Sequence, residues 1–352
     1  MVKPLRIAVF ASAYGEDAVA FVQEAERLGV DSVWSAEAWG FDALTPLAYL
    51  AAMTSVVRLG SGIAQVGART PANLAMSAMS MQALSGGRFI LGLGTSGPQV
   101  MEGWHGVPFS SPIRRTRETI EIVKQVASGS KLAYDGEIYR LPLPGGQGKS
   151  IRAAAPPVDV PIYVAALGPA NLRMTGELAD GWVGTSFIAE TADVFLDPLK
   201  AGAVSAGRSL DDLDLQVPAS VEFTDDVDEA AKRHARGYAF TFGAMGSRDR
   251  NFYKNAFSRQ GYAEVATEIQ SLWLEGKRDE ARDLVPEEIG LKTNLLGTAE
   301  MIAERLRIYR DVGITTIRAG LSGSDVTERL VTLGRLMDVV AEVNQSSGTS
   351  SR

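Results

Sequence analysis

The stretch VVRLGSGIAQVGARTPANLAMSAMSMQALSGGRFILGLGT, residues 56–95, contains one complete strand–helix–strand unit. Residues 57–65 are rich in apolar and small side chains, as a buried strand is, and residues 89–95 repeat that pattern. The helix between them is predicted over 70–84, because threonine caps its start and proline occupies its first position. Two strands that a helix connects run parallel, so this stretch predicts a parallel sheet covered by helices.

The same alternation of strands and helices continues on both sides of this unit. Six further strands are predicted, at 5–10, 32–37, 162–166, 182–187, in a run ending near 223, and at 315–319. Eight strands that alternate with helices favour a closed (β/α)8 TIM barrel, of class α/β, over an open doubly wound sheet.

Two segments interrupt the alternation. Residues 129–161 are rich in glycine and proline and predict an inserted loop or short hairpin. Residues 226–294 are charged and mainly helical, too long for one crossover helix, and predict a helical insertion over one end of the barrel. We expect one TIM-barrel domain over residues 1–344 and a flexible, serine-rich tail over 345–352.

The composition excludes several classes of site. The chain has no cysteine, which removes disulfides, thiolate metal sites and thiol nucleophiles. Its two histidines, His105 and His234, are far apart and lack a second ligand at helical spacing, so no metal site is predicted. The formal net charge of -7 argues against a nucleic-acid partner, because no excess of lysine and arginine is available to neutralise phosphates.

The amino terminus predicts no export. It runs directly into the first strand, without a charged leader or a cleavage-site pattern. No apolar run approaches the roughly 20 residues of a membrane-spanning helix. We therefore expect a cytoplasmic protein without a membrane partner.

The residues that follow the predicted strands are mostly small and uncharged. Barrel enzymes carry their sites on these loops, and exposed backbone of this kind suits a flat ring system better than a metal or a sugar phosphate. The predicted coenzyme-binding residues are Glu37, Gly62, Ile63, Ala64, Gln65, Thr95, Ser96, Gly97, Ala166, Leu167, Gly168, Pro169 and Thr185. Residues 168–171 also open a helix whose free N–H groups would bind a phosphate, although a simple strand-to-helix turn explains them equally well.

One motif is rejected. Residues 92–97 match the G-x-G-x-x-G dinucleotide fingerprint and follow a strand. The fingerprint requires a helix that begins inside it, whereas Pro98 follows here and Gly103, Gly106 and Pro108 predict an irregular chain.

Longer motifs resemble the luciferase-like flavin and deazaflavin barrel enzymes, specifically the branch that uses coenzyme F-420, over nearly the whole chain. The matching runs are SVWSAEAW (32–39), DALTPLAYLA (42–51), RLGSGIAQV (58–66), LSGGRFILGLGTSGPQV (84–100), EGWHGVP (102–108) and AALGP (165–169). The resemblance implies F-420 as the coenzyme, with FMN as the alternative. It also implies a homodimer and a non-prolyl cis peptide bond at Gly62–Ile63, beneath the coenzyme ring.

Glu37 and His105 are the candidate catalytic residues. The resemblance implies that an acid at the position of Glu37 lies near the ring, while a solvated loop carboxylate is the alternative. The sugar-phosphate dehydrogenases of the family carry a histidine next to this acid, and Ala38 here argues against the same proton transfer. His105, with Glu102 nearby, is proposed for acid–base work because imidazole exchanges a proton near neutral pH; packing of that loop together with Trp104 is the alternative.

Four arginines, Arg69, Arg114, Arg115 and Arg117, are predicted near the mouth, where they would contact the acidic tail of F-420 or remain solvated. His234 is predicted to be a surface residue. Three functions remain open: an F-420-dependent oxidoreductase that transfers hydride to or from a small organic substrate, a two-component monooxygenase that uses FMN, and a coenzyme-binding protein without turnover.

Overall fold

The computed structural model describes residues 3–11, 14–245 and 251–346. Its strands are β1 (Arg6–Phe10), β2 (Ser32–Ser35), β3 (Arg58–Ser61), β4 (Ala64–Gln65), β5 (Phe89–Gly94), β6 (Tyr134–Asp135), β7 (Arg140–Leu141), β8 (Ile162–Ala165), β9 (Gly181–Val183), β10 (Asp214–Phe223), β11 (Leu295–Gly297) and β12 (Thr316–Leu321). Its helices are α1 (Glu16–Arg27), α2 (Leu44–Met53), α3 (Pro71–Ser85), α4 (Pro98–Met101), α5 (Pro112–Ala127), α6 (Pro169–Leu178), α7 (Asp193–Ser205), α8 (Val227–Gly243), α9 (Phe252–Phe257), α10 (Ala263–Leu274), α11 (Arg278–Asp283), α12 (Glu287–Thr293), α13 (Ala299–Asp311) and α14 (Val326–Gln345).

Eight parallel strands close into a barrel in the order β1, β2, β3, β5, β8, β9, β10, β12. The ring closes where β12 pairs with β1, with Ala8 opposite Arg318. Alternate residues of each strand face the surrounding helices and form the main apolar core with them, as Ile317 and Ala319 do on β12. The predicted (β/α)8 TIM barrel is confirmed.

The strand predicted over 57–65 is interrupted in the structure. β3 ends at Ser61, and β4 resumes the pairing with β5 after the peptide bond Gly62–Ile63, which is cis as the resemblance implied. The Ser61 hydroxyl bridges this interruption, since it accepts from the Gly92 amide and donates to the Gly92 carbonyl, each at 2.9 Å. A bulge of this kind re-aims the chain at the rim of a barrel.

Side chains fill the lower part of the barrel. Trp34 and Tyr163 are buried inside it, with their ring centroids 5.8 Å apart. Beneath them the Tyr163 hydroxyl donates to Asp214 at 2.7 Å, and Arg6 and Arg58 form ion pairs with the same carboxylate. This plug leaves the C-terminal ends of the strands as the place for a ligand, as in other barrels of this class.

Both predicted insertions are present. Residues 129–161 contain the antiparallel hairpin of β6 and β7. Helices α8–α12 form the helical insertion around an apolar cluster of their own, which includes Phe242, Phe257 and Ile269. Gln260 ties this insertion to the loop after β9, because its amide donates to the Ser186 carbonyl at 2.7 Å.

Four local expectations need correction. Residues 98–101 form the single-turn helix α4 where an irregular chain was predicted, although the next crossover helix begins only at Pro112. The sixth strand of the barrel is Gly181–Val183, shorter than the predicted 182–187. The three residues of β11 were missed because so short a strand has no pattern of its own. Gln345, assigned to the tail, ends α14, while residues 347–352 lie outside the described part.

Candidate functional site

The predicted coenzyme-binding residues lie on five strands that are neighbours in the barrel. They follow β2, β3 with β4, β5, β8 and β9, and so surround about half of the mouth. We call these thirteen residues the crescent. Glu37 is the one charged residue of the crescent, since the others are small, apolar or uncharged polar residues. The remaining arc of the mouth belongs to β10, β12 and β1.

The crescent leaves backbone uncovered. A Cβ atom added at Gly168 would meet no atom within 4 Å, and one at Gly97 would meet only the tip of Gln99 at 3.6 Å. Ile63 covers the rim beside Gly94, where an added Cβ would lie 2.7 Å from the Ile63 Cδ1 atom. An open, uncharged surface of this kind can receive a flat ring against exposed main chain.

Two serines at the mouth have left-handed backbone. Ser96, in the crescent, has φ of 56°, and Ser186, which follows Thr185, has φ of 54°. Such conformations cost free energy in residues with a side chain, and they concentrate at binding sites. The buried Gln260 amide holds the turn at Ser186.

Glu37 is a fully engaged carboxylate. Arg69 donates to both of its oxygens, at 2.8 and 2.7 Å, and the amides of Gln65 and Ala43 donate at 3.2 and 3.1 Å. Its side chain is 8% exposed. Burial alone would raise the pKa of Glu37, but these hydrogen bonds outweigh it and hold the pKa below its ordinary value. Glu37 therefore clamps the bulge to the loop after β2 as an anion.

Gln65 connects this clamp to His105. The buried Gln65 amide nitrogen donates to the carbonyls of Glu37 and Ala38, which fixes its orientation. Its oxygen then faces the His105 Nε2 atom at 2.8 Å, and this oxygen can only accept. His105 in its neutral form therefore carries its proton on Nε2, and Nδ1 is the basic nitrogen.

Glu102 and Trp104, which lie near His105 in the sequence, are more exposed than His105. The Glu102 carboxylate accepts from the Phe109 amide at 3.0 Å, at an exposed position. Trp104 is 65% exposed, so it does not pack the loop. His234 is not a free surface residue as predicted, because its Nε2 atom lies 3.1 Å from Glu222 at the end of β10.

Three of the four candidate arginines are already neutralised. Arg69 pairs with Glu37, Arg114 with Glu137 at 2.9 Å, and Arg117 with Glu177 at 2.5 Å. For Arg115, no ion pair occurs among residues 3–11, 14–245 and 251–346. Arg115 lines a small cavity together with Thr95 of the crescent. It is the candidate that can still bind an anion.

The start of α6 lies in the crescent, directly after β8. Pro169 occupies the first helical position, and the following N–H groups of the first turn have no partner within the helix. Arg259, from the helical insertion, donates to the Leu167 carbonyl at 2.6 Å. Sequence reasoning missed Arg259 because its segment carries no family motif.

Within the described part of the chain, no cluster of three or more histidine, aspartate or glutamate residues could hold a metal ion. None of the described helices is both long and apolar enough to cross a membrane. A groove of about 500 Å³ lies between α5 and the start of β8, lined by Lys124, Asp159 and Asp180 among others, at the opposite end of the barrel from the crescent.

Comparisons with known proteins agree with this fold. The family model for luciferase-like monooxygenases matches residues 5–316. The chain is 39% identical over 303 residues to a putative coenzyme F-420-dependent oxidoreductase of Mycobacterium tuberculosis, covering 84% of this chain and 87% of that protein. It is 27% identical over 317 residues to the 5,10-methylenetetrahydromethanopterin reductase of Archaeoglobus fulgidus, covering 90% of this chain and 92% of that one.

Among solved structures, the coenzyme F-420-dependent tetrahydromethanopterin reductase of Methanopyrus kandleri has the same fold. The TM-score is 0.77 at 23% identity, over 95% of this chain and 98% of that one. The closed barrel and its open mouth define the class of a barrel enzyme with its site at the strand ends. The chain belongs to the luciferase-like monooxygenase family and is an oxidoreductase, as its motifs predicted.

Proposed function

We propose that this chain is an F-420-dependent oxidoreductase that exchanges hydride with a small organic substrate. The observation that carries the proposal is the crescent, in which five neighbouring strands end in mostly uncharged residues and the backbone is open at Gly97 and Gly168. The name of the relative in M. tuberculosis supports F-420 as the coenzyme. The name of the relative in A. fulgidus supports a reductase and does not mention a coenzyme.

Each part of the crescent has a task in this proposal. Gly62, Ile63 and Ala64 back the ring, and residues 95–97 and 166–168 border it. The first turn of α6 binds a phosphate through its N–H groups. When bound, F-420 supplies two-electron hydride chemistry. The protein supplies position and shelter from water.

His105 is proposed to move a proton at the substrate. Gln65 holds its Nε2–H, which leaves Nδ1 to accept a proton or, once protonated, to donate one. Glu37 is the weaker catalytic candidate, because its four hydrogen bonds keep it ionised and leave it little room to take up a proton.

The coenzyme can be tested by fluorescence and absorbance titration of the pure protein with F-420, FMN and NADP. We expect F-420 to bind at least tenfold more tightly than the other two. Tighter binding of FMN would favour the two-component monooxygenase. Tight F-420 binding, with the space above the ring filled by side chains from α8–α12, would favour a binding protein without turnover.

Arg115 is predicted to bind the acidic part of the coenzyme. Replacement of Arg115 with methionine should weaken F-420 binding about tenfold at low salt, the scale of one charge-assisted contact. Added salt should weaken binding to the wild type more than to this variant. Arg114→Met and Arg117→Met serve as controls because both arginines have carboxylate partners. Equal losses in all three variants would show a general charge effect and contradict the assignment.

His105 is predicted to act on turnover and not on coenzyme binding. His105→Ala should lower kcat about tenfold, less than the hundredfold of an enclosed general acid, because the half-buried ring admits water in its place. The Kd for F-420 should stay within about twofold of the wild-type value. Glu102→Gln is the control in the same loop. Unchanged kcat in His105→Ala would exclude the proton-transfer role.

We also propose a homodimer formed through α2 and α3. Helix α3 carries no charged residue, yet Met76 and Leu84 are more than 60% exposed on it, and α2 exposes Tyr49 and Met53. An apolar surface of this kind is typical of an interface between chains. Light scattering should give twice the 37.6 kDa of one chain, and Met76→Lys should give the monomer. A monomeric wild type would contradict the proposal.

We further propose that residues 1–344 form one domain and that the protein acts in the cytoplasm. The contacts of Gln260 and Arg259 with the loops after β9 and β8 support one domain, because they join the helical insertion to the barrel.

A further inference from the structure

Arg318 is a buried arginine inside the barrel. It lies on β12, is 7% exposed, and belongs to the alternate residues that face inward. Its guanidinium carbon lies 4.7 Å from the centre of the Phe10 ring. Phe10 is the last residue of β1 and is 39% exposed, so the guanidinium lies just beneath the mouth.

The charge of Arg318 is not neutralised. Gln216, an uncharged side chain, accepts from its Nη1 atom at 2.8 Å. Among the described residues, no carboxylate forms an ion pair with Arg318, and burial alone lowers the pKa of this side chain to about 10. It therefore stays protonated near neutral pH. An unpaired buried cation is costly, and one beside a ligand site calls for an anion.

Two donors beside this charge lack acceptors. The Nε atom of Arg318 and the Nε2 atom of Gln216 are both buried without a hydrogen-bond partner in the described structure. Neither atom can accept, so the pair presents donors and positive charge only. A water molecule or a neutral donor group would leave the charge uncompensated, whereas a carboxylate supplies both the acceptors and the opposite charge.

The position of the pair separates it from the coenzyme cradle. Gln216 and Arg318 lie on β10 and β12, in the arc of the mouth that the crescent leaves free. Phe10 lies between the two regions, because a Cβ atom added at Gly62 would come within 3.4 Å of the Phe10 ring. A molecule placed between the crescent and this arc would therefore have the coenzyme on one side and the buried donor pair beneath the Phe10 ring on the other.

We propose that Arg318 and Gln216 bind a carboxylate of the substrate, so that the enzyme acts on small organic acids. The hydride step in this inference rests on the proposed function, whereas the binding of a carboxylate does not. Arg318 is a specificity-determining residue in this assignment, and Gln216 positions its guanidinium.

The test uses propionate and its uncharged counterpart propionamide as probes. Binding to the full-length protein is followed by saturation-transfer NMR, with and without F-420. We expect the wild type to bind propionate and not propionamide. Arg318→Met should weaken propionate binding at least tenfold, and Arg318→Lys should weaken it less. The matched control is Arg329→Met, which removes an arginine stacked 4.8 Å from Phe21 on the outside of the barrel and should bind propionate like the wild type.

A second measurement separates binding from a structural role. Removal of an unpaired buried charge should raise the urea midpoint of unfolding for Arg318→Met, as expected for a residue kept for binding at a cost in stability. A lowered midpoint, unchanged propionate binding in Arg318→Met, or no propionate binding by the wild type would each overturn the proposal. Failure of the wild type to bind F-420, with propionate binding intact, would overturn the proposed function and leave this assignment standing.

Discussion

Replacement of Gly92 with alanine is expected to destabilise the barrel by about 3 kcal/mol or more, at the upper end of the range for overpacked cores. A Cβ atom at Gly92 would lie 1.9 Å from the Ser61 carbonyl oxygen and 3.1 Å from the Trp34 ring. The obstacle is backbone of the neighbouring strand, which cannot rotate away as a side chain can. The Ser61 hydroxyl would also lose its two bonds to Gly92 when the strands separate.

Urea denaturation should show this loss as a lower midpoint, or as failure to accumulate folded protein. Gly334→Ala is the matched control, since Gly334 lies in α14 with no atom within 4 Å of an added Cβ. Alanine should stabilise that helix by up to about 1 kcal/mol. If Gly92→Ala had the stability of the wild type, the close approach of β3 and β5 at the bulge would be incorrect.

Replacement of Glu37 with glutamine is expected to cost about 3 kcal/mol and to weaken F-420 binding at least tenfold. Glutamine would turn N–H donors toward Arg69, whose side chain is 21% exposed. Arg69 would lose its carboxylate partner at 2.7 Å and keep the more distant Asp42 at 3.9 Å. Breaking one member of a buried ion pair has costs of this size. The bulge that would back the coenzyme ring is held by the same carboxylate through the Gln65 amide.

The pH dependence of unfolding gives a second measure of Glu37. Its pKa is lower in the folded protein than in the unfolded chain, so its stabilisation is present above the unfolded value of about 4.3. That stabilisation is lost as the pH falls through the folded value. The difference in stability between the wild type and Glu37→Gln should therefore shrink on acidification below about pH 4.3.

Glu24→Gln is the control for Glu37. Glu24 also receives two hydrogen bonds from an arginine, Arg27, but that arginine is 69% exposed. Exposed pairs contribute about 0 to 1 kcal/mol, so this variant should match the wild type closely. Equal effects of the two substitutions would contradict the role of Glu37 as a buried clamp.

Much of the fold could be predicted because its signals are local. Thr70 accepts from the Asn73 amide and begins α3, as the threonine–proline pair indicated. A similar threonine–proline pair at Thr45 and Pro46 predicts that α2 begins at Pro46, but α2 begins two residues earlier, at Leu44. Asp42 accepts there from the amides of Leu44 and Thr45. An aspartate four residues before the expected first helical residue is an equally good cap, and only the packed loop selects between them.

The arrangement of the candidate residues around the rim was predictable, and their hydrogen-bond partners were not. The strand ends of a barrel meet at one rim, so the residues of the crescent could be assigned from the order of strands alone. The partner of Glu37 could not be predicted, because Arg69 lies 32 positions away in the sequence and reaches Glu37 only through the bulge. Arg318 was missed although it left a signal: it is the one charged residue inside the apolar run 314–321.

The helical insertion has an apolar cluster of its own. It meets the rim through Gln260, through Arg259 and through the packing of α8 on Leu296 of β11. Its interior can therefore accumulate substitutions without disturbing the strands beneath it. Relatives that share one redox chemistry could in this way diverge in the molecules they accept. The helical insertion would vary in sequence while the strand ends of the barrel stay the same.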